Sequence, residues 1–347
     1  MTHHGRIVAL KALGRFTYGP DSPEAGAPFA ASFTKSEAPH VHPSTIFDLA
    51  SLTKVVATTS AAMLLYERGL LDLDAPVTAI VPEFIFDAQK DPRRGEVTLR
   101  MLLAHCSGMP AYEKLFLKSR TRDELLHAAF TVPLVANPCA QAQYSDIGFI
   151  ILGVALERLA GESLDRYAQR EIFGPLGMTN TTFNPPAEIR DQIPPTAEDH
   201  SFRQRIIQGE VQDENAYVLG GVAPHAGLFS TSRDLAQFAH SMLNPGNPIF
   251  RPETVALFTR RGSMPADSSR ALGWDTISVP SQSGKYFSQA SFGHLGYTGT
   301  SLWIDPTRQL SITLLTNRTW PDCANHAIKQ LRPRLHDAVI EALENPA

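Results

Sequence analysis

Apolar residues recur at Leu52, Val55, Val56, Ala62, Met63 and Tyr66, with Thr59 in phase. This spacing predicts a helix that starts at Ser51 and stops at Gly69. The same period predicts helices over 122–130, over 147–160 with Gly161 as its stop, and over 164–173, closed by Gly174-Pro175. Segments 71–83 and 97–105 lead into this helix-rich middle, and 231–243 is helical again. A different pattern marks the ends. Arg6-Ile-Val-Ala-Leu10 reads as a strand, with 16–18 close behind and a loop to about residue 44. Segments 301–304 and 310–316 alternate as strands, joined by Asp305-Pro-Thr-Arg-Gln309, which has hairpin spacing and turn chemistry. A last helix covers 324–343, interrupted at Pro333. Residues 184–218 are Pro-rich, then polar, with no sustained period, and are predicted to form a long loop near the mouth of a site.

Strands at both ends and helices between them predict an α/β (α+β) architecture, a mostly antiparallel sheet flanked by helices. The expected division is a discontinuous α/β domain, 1–80 and 215–347, with a mainly helical domain inserted at 81–214. An active site would lie in the crevice between them. Composition agrees: 347 residues, 43% hydrophobic and 19% charged, are ordinary for a globular protein with a large core. No apolar run approaches the ~20 residues that span a bilayer. A net charge of −4 leaves no basic footprint for nucleic acid. The opening Met-Thr-His-His-Gly-Arg shows no signal-peptide pattern, so the chain as it stands is expected in the cytoplasm, and an upstream start would make export the expectation. Nothing in the sequence fixes an oligomeric state.

Candidate chemistry centres on Ser51-Leu-Thr-Lys54. Helical neighbours three apart share a face, so the Lys54 amine can approach the Ser51 hydroxyl. Ser51 would sit in the first turn, where unpaired N–H groups and the positive end of the helix dipole favour an oxyanion. A second copy, Ser32-Phe-Thr-Lys35, lies in a Pro/Ala/Gly-rich stretch and is expected in a loop. Cys106, Cys139 and Cys323 have no metal or redox spacing and read as free thiols. Asp213, Glu214, Asn215 and His225, like His40 and His42, lack ligand spacing and read as solvated charges, so neither metal nor cofactor is expected.

Two further segments carry a resemblance. Tyr144-Ser-Asp146 precedes the apolar run at 147–159, and Gly293-His-Leu-Gly296-Tyr297-Thr-Gly-Thr-Ser301 leads into a strand. With Ser51-x-x-Lys54 they resemble, in order and spacing, the S-x-x-K, Y-x-N and K-T-G motifs of serine β-lactamases and penicillin-binding proteins. The spacing resembles the class C branch and its relatives, the family VIII carboxylesterases and D-stereospecific peptidases. Leu102-Leu-Ala-His-Cys-Ser-Gly-Met-Pro110 and Gly220-Gly-Val-Ala-Pro-His-Ala-Gly-Leu-Phe-Ser-Thr231 resemble that family as well.

The resemblance implies a serine hydrolase with Ser51 as nucleophile, Lys54 or Tyr144 as base, and the Ser51 and Tyr297 N–H groups as oxyanion hole. An ammonium beside Tyr144 would ease ionisation of the phenol. Asp146, His294, Leu295 and Gly296 would meet the substrate. Here the chain departs from the pattern. Asp146 stands for Asn and only accepts hydrogen bonds. His294 and Leu295 stand for Lys and Thr, and Asp322 and Asn325 fall where the β-lactamase branch has Asn and Arg. These changes lower the expected recognition of a carboxylate and favour small neutral esters or D-amino-acid amides and peptides. The alternatives are a β-lactamase or D,D-carboxypeptidase, or a non-catalytic penicillin- or muropeptide-binding sensor.

Overall fold

A computed structural model describes residues 1–17, 38–85, 91–245, 249–262, 264–321 and 323–345. Ser32-x-x-Lys35, Tyr18 and Asp322 lie outside them. The largest sheet has six antiparallel strands in the order Arg6–Ile7, Thr2–His3, Leu310–Leu314, Ser301–Asp305, Phe292–Leu295, Asp275–Thr276. Both ends of the chain therefore meet in one sheet. Every residue of Ser301–Asp305 is buried. Leu302 and Ile304 enter the main core, whereas Trp303 joins a smaller cluster with Phe287, Leu310, Ile312 and Ile340. Successive side chains on a strand point to opposite faces, so both faces of this sheet are covered. Helix Ile328–Glu344 contributes Ile340 to one layer, and helix Ser232–Leu243 contributes Leu235, Phe238 and Met242 to the other.

The chain beyond Ser51 is buried on all sides. After a 3-10 turn at Ala50–Leu52, a wide π turn spans Lys54–Thr59 and an α-helix spans Ser60–Glu67. Thr58, Thr59 and Ser60 are as inaccessible as Val55 and Val56. This is a central core helix rather than an amphipathic one. Gly69 ends it at φ +69°, with its N–H on the Tyr66 carbonyl. A three-stranded sheet, Phe47–Asp48, Leu228–Ser230 and Thr182–Phe183, leads into it.

Helices Arg122–Thr131 and Asp146–Ala160 match their periods, and Gly161 stops the second at φ +71°. Elsewhere the pattern misleads. The strand expected over 6–10 is a tight hairpin pairing Thr2 with Ile7 and His3 with Arg6, because His4 and Gly5 both take positive φ in the turn. Segment 71–83 forms only 3-10 turns, Val77–Ala79 and Pro82–Ile85. Pro76 and Pro82 bar a longer helix, and the Val77 N–H bonds to the Val97 carbonyl instead.

Residues 184–218 are not one long loop. They hold a 3-10 turn at Ala187–Gln192, a hairpin of Ala197–Asp199 with Arg205–Ile207, and a helix at Glu214–Val218. The hairpin turn is tied by the Asp199 carboxylate, which accepts from the N–H groups of Ser201, Phe202 and Arg203. Local side-chain bonding of this kind leaves no period to read. The last helix is not interrupted at Pro333. The Lys329 carbonyl that the proline cannot serve accepts from Gln282 Nε2 at 3.1 Å.

Candidate active site

Ser51 is held by the turn that carries it. Ala50 takes φ +46°, an uncommon conformation for a residue with a Cβ, and its N–H donates to Asp48 Oδ1 at 2.8 Å. The other Asp48 oxygen accepts from the Gln212 N–H at 2.8 Å. Thr298 and Thr300 hydroxyls donate to the carbonyls of Asp48 and Leu49 at 2.9 and 3.0 Å. These bonds fix segment 296–300 against the Ser51 turn. Gly296 permits that approach: a Cβ there would overlap the Thr300 hydroxyl and lie 2.6 Å from the Leu49 oxygen. Burial pushes the Asp48 carboxyl up to about 6.

Ser51 lies in the 3-10 turn and Lys54 opens the π turn that follows. Across that junction Lys54 Nζ donates to Ser51 Oγ at 3.0 Å. It also donates to the His225 carbonyl at 2.9 Å and pairs with Asp146 Oδ1 at 2.6 Å. Burial pulls this inaccessible amine down, but the Asp146 charge and Tyr144 more than offset it, so Lys54 titrates above its ordinary range.

Tyr144 lies just ahead of helix Asp146–Ala160, whose N-cap is Ser145. Its hydroxyl donates to Ser51 Oγ at 2.8 Å. Lys54 does ease ionisation of the phenol, as expected, but its effect is outweighed. Burial raises Tyr144, and the lysine only partly counters that. At rest the group therefore holds an ammonium and a neutral phenol, both aimed at Ser51 Oγ. One proton must leave the unit before either can accept another.

His294 is buried on strand Phe292–Leu295, its ring 5.8 Å from the Tyr144 ring. Its Nδ1–H donates to the Leu295 carbonyl at 2.8 Å, which leaves Nε2 as an acceptor without a partner among the described residues. Burial, then the Lys54 and Arg270 charges, hold it well below the ordinary histidine value. Tyr297 is half exposed, and Arg318 fixes its carbonyl at 2.7 Å and its ring at 4.3 Å.

Sequence reasoning missed several neighbours. His105, in a left-handed turn at φ +56°, packs 4.7 Å from Tyr144 and accepts from the Ser145 N–H at 3.0 Å. Arg270 places its guanidinium 5.4 Å from the centre of the Tyr144 ring, with Asp275 no nearer than 3.9 Å. His105 lies in the Leu102–Pro110 phrase, which assigned it no role, and Arg270 lies in no quoted motif, so only the folded chain shows that both meet Tyr144. Asp213 and His225 are not solvated: His225 is buried, and its Nε2 sits 3.0 Å from Asp213 Oδ1. Burial raises Asp213, but His225 leads the effects that bring it below its ordinary value. Asn215 joins Phe116 and Glu113 backbone groups. Asn325 Oδ1 accepts from the Ala327 N–H. Among the described residues, no cluster suited to a metal ion occurs and no helix is long and apolar enough to cross a membrane. A cleft of about 900 Å³, lined by Phe116, Arg190, Phe202 and Tyr217 among others, does not include Ser51, Lys54 or Tyr144.

A β-lactamase-like fold with this serine, lysine and tyrosine arrangement defines a serine hydrolase of the β-lactamase and penicillin-binding protein type. The chain belongs to the beta-lactamase family, whose model matches residues 1–332. A protein of Escherichia coli (strain K12), provisionally named D-alanyl-D-alanine carboxypeptidase, is 35% identical over 303 residues, 79% of this chain and 69% of that protein. Among solved structures, EstCE1, a hydrolase with promiscuous acyltransferase activity, superposes with a TM-score of 0.70 at 22% identity, covering 88% of this chain and 87% of its own. A class C beta-lactamase from Rhodobacter sphaeroides gives 0.64 at 21% identity, covering 89% of each chain.

Proposed function

We propose that the protein hydrolyses small esters and D-amino-acid amides or peptides through an acyl-enzyme on Ser51. The observation that carries this is the convergence of Lys54 Nζ and Tyr144 OH on one oxygen, Ser51 Oγ, at 3.0 and 2.8 Å. After one proton leaves the Lys54–Tyr144 unit, that unit takes the Ser51 proton as Oγ bonds to the substrate carbonyl. The Ser51 and Tyr297 N–H groups receive the oxyanion. The proton then passes to the leaving alcohol or amine, and the same unit activates the water that frees Ser51. Asp146 keeps Lys54 in place, and His294, Leu295 and Gly296 border the substrate.

A D,D-carboxypeptidase is the favoured reading among peptide substrates. Arg270 supplies a guanidinium beside Tyr144 that could receive a terminal carboxylate, and the name of the E. coli relative agrees. Labelling with a fluorophosphonate tests the chemistry. The adduct is expected on the Ser51 peptide, with turnover of a p-nitrophenyl ester lost in step. An active preparation without that adduct would overturn the reading. A panel of short esters, nitrocefin and D-alanyl peptides then ranks the substrates.

A further inference from the structure

Two thiols meet beside the Tyr144 segment. Cys106 is buried and Cys139 partly buried, and their sulfur atoms lie 3.4 Å apart. The Cys139 N–H donates to the Cys106 carbonyl at 2.7 Å, so the two backbones touch directly beside the sulfur contact. A disulfide needs Cα atoms within ~4.4–6.8 Å, and such direct backbone contact favours that approach. Cys139 also takes φ +60°, a conformation that glycine adopts at less cost. A strained position thus carries a thiol that faces another thiol, and an observed strain of this kind points toward function.

We propose that Cys106 and Cys139 are an oxidative modification site that closes to a disulfide with a low-molecular-weight disulfide as oxidant, and that the bond acts on Tyr144. Cys139 is the accessible partner. Its thiolate attacks one sulfur of the small disulfide and releases one small thiol. Cys106 gives its proton to water and attacks the Cys139 sulfur, expelling the second small thiol. The two protein thiols lose two electrons and two protons, and the oxidant becomes two thiols. Burial, with the Cys139 contact, raises the Cys106 thiol, which makes it the second thiol to react.

The coupling runs through one turn. The Gln143 N–H donates to the His105 carbonyl at 2.7 Å and the Ser145 N–H to His105 Nδ1 at 3.0 Å, so Tyr144 is laced to His105 from both sides. Closing the sulfurs from 3.4 Å to the ~2.05 Å of a bond moves one end of that lacing.

The test uses the full chain, incubated with oxidised or reduced glutathione, then denatured, alkylated and mapped. The reduced protein should carry three alkylated cysteines. The oxidised protein should carry one, on Cys323, with the Cys106 and Cys139 peptides joined and the mass lower by about 2 Da from the two hydrogens lost. Hydrogen exchange of the 140–146 amides should slow on oxidation. The kcat on p-nitrophenyl acetate should fall severalfold and return with dithiothreitol. Cys139→Gly, which suits φ +60°, should keep turnover and lose this response. Glutathione left on Cys139 without the cross-link, or a bond to Cys323, would overturn the site. A closed bond that leaves both exchange and kcat unchanged would overturn the coupling. The mass and exchange measurements do not depend on Ser51 chemistry, so they separate this proposal from the acyl-enzyme reading.

Discussion

Lys54 Nζ sits 2.6 Å from Asp146 Oδ1 while it donates to Ser51 Oγ at 3.0 Å. The carboxylate that replaces the family's amide therefore keeps its partner charged. Asp146 opens helix Asp146–Ala160, where the dipole also favours a negative charge.

Asp146→Asn removes the charge that holds the Lys54 proton. The folded pKa of Lys54 is raised, so its ion-pair stabilisation is present below the unfolded lysine value and is lost as pH rises through the folded one. Two outcomes follow. Lys54 is inaccessible but Asp146 is 17% exposed, so the loss should fall below the about 3–5 kcal/mol of a fully buried pair, to be read by denaturant unfolding near neutral pH. The ascending limb of kcat/KM against pH should also move to lower pH, because the Lys54–Tyr144 unit releases its proton sooner. A limb that stays in place would remove Lys54 from the proton path.

Lys54→Ala and Tyr144→Phe should each lower kcat by about 10²–10⁴-fold, the usual range for proton-transfer groups. Both side chains bond the same Ser51 oxygen, so the double variant should lose little more than either single one. Additive losses measured on a p-nitrophenyl ester would show two independent roles and refute a shared unit.

Gly296→Ala tests the clamp on the Ser51 turn. The new Cβ collides with the Thr300 hydroxyl and Leu49 carbonyl, and overpacking of this kind costs about 1–3 kcal/mol. The Ser51 turn hangs from the same contacts, so fluorophosphonate labelling should slow by more than the loss of Tm alone explains. Wild-type labelling in a destabilised variant would separate the clamp from reactivity.

What the sequence disclosed was set by the range of each interaction. Ser51 and Lys54 are three residues apart on one continuous helical path, so their contact followed from spacing even though one lies in the 3-10 turn and the other in the π turn. Helix Asp146–Ala160 has its cap Ser145 and its stop Gly161 written beside it. The π turn at Lys54–Thr59 has no such signature, and it rests on burial from every side. Arg270 reaches Tyr144 across 126 positions of chain, so no local period could announce it. The hairpin within 197–207 escaped for the opposite reason, since Asp199 organises it by short-range bonds that leave no alternation.

Arg270 changes the expected substrate. Replacing the motif lysine by His294 seemed to strip the site of positive charge, yet Arg270 lies against the Tyr144 ring and Arg318 against Tyr297. A guanidinium whose nearest carboxylate is 3.9 Å away retains hydrogen-bond donors for a substrate carboxylate. A charge-assisted bond contributes about 1.5–3 kcal/mol, so Arg270→Gln should lower kcat/KM for a D-alanyl-D-alanine peptide by roughly tenfold to a hundredfold. The loss should fall mainly on KM, and a neutral p-nitrophenyl ester should be nearly unaffected. His294→Lys should not mimic a family lysine. The position is buried and faces both Lys54 and Arg270, so a third cation there should lower Tm before it improves anion binding. Equal losses on peptide and ester in Arg270→Gln would mean that the arginine acts through Tyr144 and leave the substrate carboxylate without this anchor.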